Sequence, residues 1–142
     1  MTGYTLTTTI HKPYQETVEA VRAALADQGF GILTEIDLRA TLKTKLDVDV
    51  EPQVILGACR PQLAHQAIEV EPSIAAVLPC NVVVRAAGDV TTVVEAFDPD
   101  AMTALAGNSQ ALRTVAADAK RRLNAALAAL TQENCWSSTL PA

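Results

Sequence analysis

The segment 54–84 constrains this chain more than any other. It reads VILGACRPQLAHQAIEVEPSIAAVLPCNVVV. Val54-Ile55-Leu56-Gly57-Ala58-Cys59 is an apolar run that Arg60-Pro61 stops. A strand that is apolar on both faces belongs in the middle of a sheet. Pro61 suits the first turn of a helix, in which Leu63, Ala67 and Val70 share one face. Pro72-Ser73 breaks that helix. Residues 73–78 supply one more helical turn before Leu78-Pro79-Cys80-Asn81 opens a second apolar run, Val82-Val83-Val84. Two strands are thus joined by a helix, a break and a short return, with a cysteine and a proline at each junction.

The rest of the chain supplies strands and helices around that pair. Residues 4–10 alternate Thr with apolar residues and favour a pleated strand. After Pro13, the spacing of Tyr14, Val18, Val21 and Leu25 is that of one helix face, and Gly29 suits the position just past its end. Residues 30–36 form a second strand. Asp37 caps a short helix in which Leu38, Leu42 and Leu46 recur every four residues. Asp47, Asp49 and Glu51 follow as a solvated edge or loop, without the oxygen count or central Gly of a calcium loop.

Residues 53–59 and 81–86 are the third and fourth strands. Gly88-Asp89 is a hairpin turn, and residues 90–97 are the fifth strand. Asp98-Pro99 starts a helix, and Gly107-Asn108-Ser109 interrupts it. A last helix over residues 110–131 carries the stripe Leu112, Val115, Ala119, Leu123, Ala126 and Leu130. At 1.5 Å per residue it spans about 33 Å, a whole domain. Residues 132–142, with Cys135 and Trp136, are expected to be a flexible tail. The expectation is one α+β domain over residues 1–131. It is a mixed five-stranded sheet with helices packed against it, in the order β-α-β-α-β-α-β-β-α.

Composition excludes several classes. A chain of 142 residues fits one domain and can bury roughly 70% of its unfolded surface without a staple. Hydrophobic residues make up 49% and aromatics only 4%, so the core is built from Ala, Val, Leu and Ile, and the chain is not disordered. A net charge of −5 is wrong for sequence-independent nucleic-acid binding, which needs clustered Lys and Arg. No apolar run approaches the roughly 20 residues of a membrane helix, and the first residues lack the regions of a signal peptide. A cytoplasmic location with reduced thiols is expected. Three cysteines, an odd number, argue against a disulfide framework.

At this point the residues resemble a known family. Gly31-Ile32, Ile36-Asp37-Leu38, Leu42-Lys43 and Leu46 begin the pattern. Ile55-Leu56-Gly57-Ala58-Cys59-x-Pro61, Glu71-Pro72, Leu78-Pro79-Cys80-Asn81-Val82 and Asp98-Pro99 complete it. Together they are similar to the domain of unknown function 302 family, over about residues 7–130. The resemblance implies a small bacterial or archaeal α+β domain that forms a homodimer, and it brings no activity with it. The family usually shows Cys-Asn-Pro where this chain has Cys59-Arg60-Pro61, a departure that adds a positive charge beside the first cysteine.

For chemistry, Cys59 and Cys80 stand out. If the third and fourth strands are antiparallel, or the return segment brings the chain back, both thiols can sit on one edge. Three readings stay open. The thiols are small buried hydrophobes; or they form a pair for redox exchange or a soft metal, Cu(I) or Zn, with His65 as a third ligand; or the same edge is a small-ligand pocket. In the last case Arg60 and the amides after Pro61 would hold an anion, and the ligand residues would be Cys59, Arg60, Pro61, Pro79, Cys80 and Asn81. His11 reads as solvated. Asp37, Asp47 and Asp98 read as cap and loop residues. No GxSxG, P-loop, HExxH or GxGxxG is present, so no catalytic residue and no cofactor are assigned. The apolar faces exceed what one sheet face buries, which points independently to a second copy and a closed two-fold dimer.

Overall fold

The computed structural model describes residues 3–107 and 109–139, and the side chains of these except Ala106 and residues 132–139. The strands are β1 (Thr5–Ile10), β2 (Gly31–Asp37), β3 (Gln53–Cys59), β4 (Cys80–Gly88) and β5 (Thr91–Phe97). The helices are α1 (Tyr14–Asp27), α2 (Leu38–Leu46), α3 (Pro61–Val70), α4 (Pro99–Ala106) and α5 (Gln110–Thr139), and a short 3-10 helix covers Pro72–Val77. The α+β class and the element order are those expected. The strands lie side by side as β1-β5-β4-β3-β2, which puts the two long apolar runs in adjacent central places.

The sheet is antiparallel throughout, where a mixed sheet was expected. The reason lies in the connections. A parallel neighbour needs a connection that carries the chain back along the whole strand. The helix α1 makes such a passage, but it joins strands at opposite edges of the sheet. By contrast α2 is nine residues, about 13 Å, and it returns the chain at the end where β2 stopped. The stretch α3 plus the 3-10 helix does the same between β3 and β4, which pair antiparallel with Ala58 opposite Cys80.

Alternation along each strand divides the sheet into two faces. Leu56, Val82 and Ala96 form one cross-strand row, and Val54, Val84 and Val94 another. These residues point toward α1 and α5, where Val18, Val21, Leu25, Leu123, Ala126 and Leu130 close the main core. A second core lies beyond the sheet end. There α3 (Leu63, Ala67), α4 (Met102) and the first half of α5 (Leu112, Val115, Ala119) enclose Ile74. One helix thus serves both cores, as its long stripe foretold. It continues to Thr139, eight residues past the expected end at Thr131, because no breaker stands between its last stripe residue and Pro141. The side chains of Cys135 and Trp136 lie outside the described residues.

The local signals act as read. Asp37 Oδ1 accepts from the Ala40 amide at 2.9 Å, and Asp98 Oδ1 from the Asp100 amide at 2.9 Å. Gly29 ends α1 at φ +85°, a conformation that favours glycine.

Candidate functional site

The end of β3 and the start of β4 meet where sequence placed them, but the six expected ligand residues divide between two sides of the sheet. Cys80 is 8% exposed and belongs to the helix-covered face. With Cys59 and Arg60 it lines a crevice of about 30 Å³, closed by Phe30, Leu63 and Met102. The crevice is apolar and narrow, and its interior holds little more than a single small group. Pro79 and Asn81 instead line an open cleft on the other face, beside Val83, Glu95 and Phe97. Pro61 is exposed at the start of α3.

Both thiols are free. Burial pushes the Cys80 thiol up to about 11, and the neighbouring Cys59 adds to the rise. Burial also raises Cys59 above its ordinary value. A thiol needs to ionise to act as nucleophile or soft-metal ligand, so both stand in their unreactive form at neutral pH. His65 does not join them. Its Nε2 lies 2.8 Å from Glu69 Oε1 along the exposed side of α3. Among the described residues, no three His, Cys, Asp or Glu side chains are placed to hold a metal.

Arg60 has the more developed setting. It precedes α3 without capping it through its side chain. Its guanidinium lies over Gly29, where an added Cβ would come within 3.1 Å of Arg60 Nε. The close approach and the positive φ both suit glycine there. Arg60 Nη1 is 3.8 Å from Asp118 Oδ2. Arg122 Nε donates to the same oxygen at 3.0 Å, and Arg121 to the other oxygen of Asp118. Arg122 also donates to the Gln28 carbonyl at 3.2 Å. The hydrogen bond from Arg122, followed by that from Arg121, holds the Asp118 carboxyl below its usual range. Three guanidinium groups therefore share one carboxylate, a local excess of positive charge on an acidic protein.

A second polar group sits on the open face. Glu95 Oε2 accepts from Thr5 Oγ1 at 2.6 Å and Thr7 Oγ1 at 3.2 Å. Its Oε1 accepts from Arg85 Nη1 at 2.7 Å. The hydrogen bond from Thr5 leads in holding Glu95 below the usual carboxylate range. Apart from Arg60, no member of either cluster figures among the site residues expected from sequence. The Asp118-x-x-x-Arg122 spacing was a readable signal. The approach of Arg60 to it was not, because α3 and α5 meet only in the folded chain.

The fold and site define a two-layer antiparallel α+β module. The profile of the family described as Domain of unknown function DUF302 matches residues 6–130. The chain belongs to that family, as its motifs suggested. A solved structure, an uncharacterised conserved DUF302 protein from Bacillus stearothermophilus, superimposes with a TM-score of 0.78 at 30% sequence identity, over 87% of this chain and 95% of that one. No curated protein matches the chain. Among the described residues, no helix is long and apolar enough to cross a membrane.

Proposed function

We propose that the protein is a non-catalytic cytoplasmic module that binds a small anionic molecule at the end of β3 and acts as a homodimer. One observation carries the ligand: Arg60, Arg121 and Arg122 converge on the carboxylate of Asp118 beside the Cys59–Cys80 crevice. Three guanidinium groups offer far more donors than one carboxylate accepts. A carboxylate or phosphate head fits the remaining donors, and the crevice beside Arg60 admits a small apolar group of about methyl size. Cys59 and Cys80 then serve as apolar walls, a role that their raised thiol values favour over redox exchange or Cu(I) and Zn binding. Pro79 and Asn81, on the far side of the sheet, drop out of this ligand set.

The test is calorimetric titration with inorganic phosphate and a series of short-chain carboxylates and alkyl phosphates. Affinity is expected to rise from the bare anion to a methyl-bearing one, to gain little from longer tails, and to fall about tenfold or more in Arg60→Ala, a loss of one charge-assisted contact. The absence of binding across the series, or binding indifferent to Arg60→Ala, would sink the reading. A metal-dependent mass increase lost in Cys80→Ser would favour the thiol alternative.

A further inference from the structure

The group around Asp118 differs from an ordinary ion pair in its charge balance, and its three arginines are not equivalent. Arg122 is the fixed member. It donates to Asp118 Oδ2 at 3.0 Å and to the Gln28 carbonyl at 3.2 Å. Arg121 donates to the other oxygen of Asp118 from a side chain that is 67% exposed. Arg60 is the uncommitted member. Its Nη1 stops 3.8 Å from Asp118 Oδ2, beyond hydrogen-bond distance, so its donors are unspent at the mouth of the crevice.

Three guanidinium groups around one carboxylate leave a net charge of +2. Among the described residues, none of the three has a second carboxylate within ion-pair distance. The helix α3 begins directly after Arg60 and adds the positive end of its dipole. A monoanion such as a carboxylate neutralises half of that charge and offers two oxygens. A phosphoryl group ionised twice neutralises all of it, and a monoester offers three unesterified oxygens to the guanidinium groups. The net charge of −5 on the chain opposes a dianion more than a monoanion. That repulsion is spread over the whole surface, and beyond about 10 Å it is largely screened at 0.1 M salt. The arginines all lie within ion-pair distance of Asp118, so the local excess outweighs it.

We infer that the head group bound at Arg60 is a phosphoryl dianion rather than a carboxylate. Arg60 turns its unspent donors to the phosphoryl oxygens, and the crevice limits any apolar substituent beside it to about a methyl group. Asp118 tunes the selectivity, because it cancels one of the three positive charges. The inference rests on the anion-binding reading above and is independent of the dimer.

Methyl phosphate and methyl sulfate test it. The two esters share a tetrahedral shape and a methyl group, and at about pH 8 they differ by one charge. Calorimetric titration of the full chain at low salt is expected to show methyl phosphate binding about tenfold or more tightly. Asp118→Asn adds one unit to the local positive charge and is expected to tighten both esters and widen the ratio. Arg121→Gln removes one unit and is expected to narrow the ratio, as is added sodium chloride. The Arg121 side chain is mostly in solvent, so this variant tests the charge even if Asp118→Asn misfolds. A wild-type ratio below tenfold, or a ratio that the charge variants leave unchanged, overturns the dianion and leaves the anion site standing. Failure of both esters and of acetate to bind overturns the site and the inference together. Inorganic phosphate, a dianion without the ester, identifies the source. Binding tighter than that of methyl phosphate supports the dianion as free phosphate, and weaker binding supports it as a phosphate ester.

Discussion

The two faces of the sheet are built from the same five strands, yet they have opposite histories. On one face Leu56, Val82, Val84 and Val94 are at most 1% exposed, because α1 and α5 finish the core within the chain. One residue along each strand, Ile55, Val83 and Val93 stand partly open and belong to neither core. Apolar content alone therefore does not say where a core lies. What decides is which face the connecting helices cross, and here every long helix crosses the same one.

The sharpest way to break this contrast is to truncate neighbours that point to opposite faces. Leu56→Ala leaves a cavity in the closed core and is expected to cost about 3 kcal/mol. Ile55→Ala, studied at concentrations low enough to separate copies, is expected to cost about 1 kcal/mol, since its side chain is only partly removed from water. Urea unfolding measures both. Equal losses would mean that the open face is as well packed as the covered one, and the comparison would fall.

The next largest effect belongs to a residue on the open face that behaves like a core residue. A Cβ at Gly57 would lie 2.0 Å from Thr34 Oγ1 and 2.8 Å from Pro79 Cγ. Thr34 is the cross-strand partner of Gly57, so its side chain cannot simply move aside. Gly57→Ala is expected to cost about 2 kcal/mol through overpacking. Thr34→Ala in the same chain should restore part of this, with Pro79 still in the way. Unchanged unfolding in Gly57→Ala would show that the Thr34 and Pro79 side chains yield freely, and that this end of the open face is not fixed.

Much of this was legible in the sequence, for identifiable reasons. Proline and acidic caps placed the helix starts at Asp37, Arg60 and Asp98. The doubly apolar run at residues 54–59 located a central strand, and the break at Pro72-Ser73 implied the return that brings Cys59 near Cys80. Strand direction was harder, because a helix between two strands reads the same whether it crosses a face or merely turns at an end. The division of the site was hidden for a related reason. Cys80 and Asn81 are adjacent in sequence, and alternation sends them to opposite sides. Asp118 and Glu95 acquire their partners from Arg60 and Thr5, each far away in the chain, and no local pattern announces that.

The smallest effect tests whether the polar part of the open face is a built feature or a surface accident. Glu95 accepts three hydrogen bonds as a carboxylate, which lowers its proton affinity in the folded chain. Its contribution is therefore complete above the unfolded carboxyl value of about 4.3. It fades as pH falls through the lower folded value, where protonation removes the charge that Thr5 and Arg85 address. Glu95→Gln keeps the shape and loses that charge. At neutral pH the variant is expected to be less stable by about 1 kcal/mol. Below the folded value the protonated wild type resembles the amide, so the two unfolding curves should converge. A stability difference that persists unchanged into acid would assign the loss to packing rather than to the carboxylate. The open face would then owe its order to the apolar row alone, and the Thr5–Glu95–Arg85 group would be a consequence of strand register.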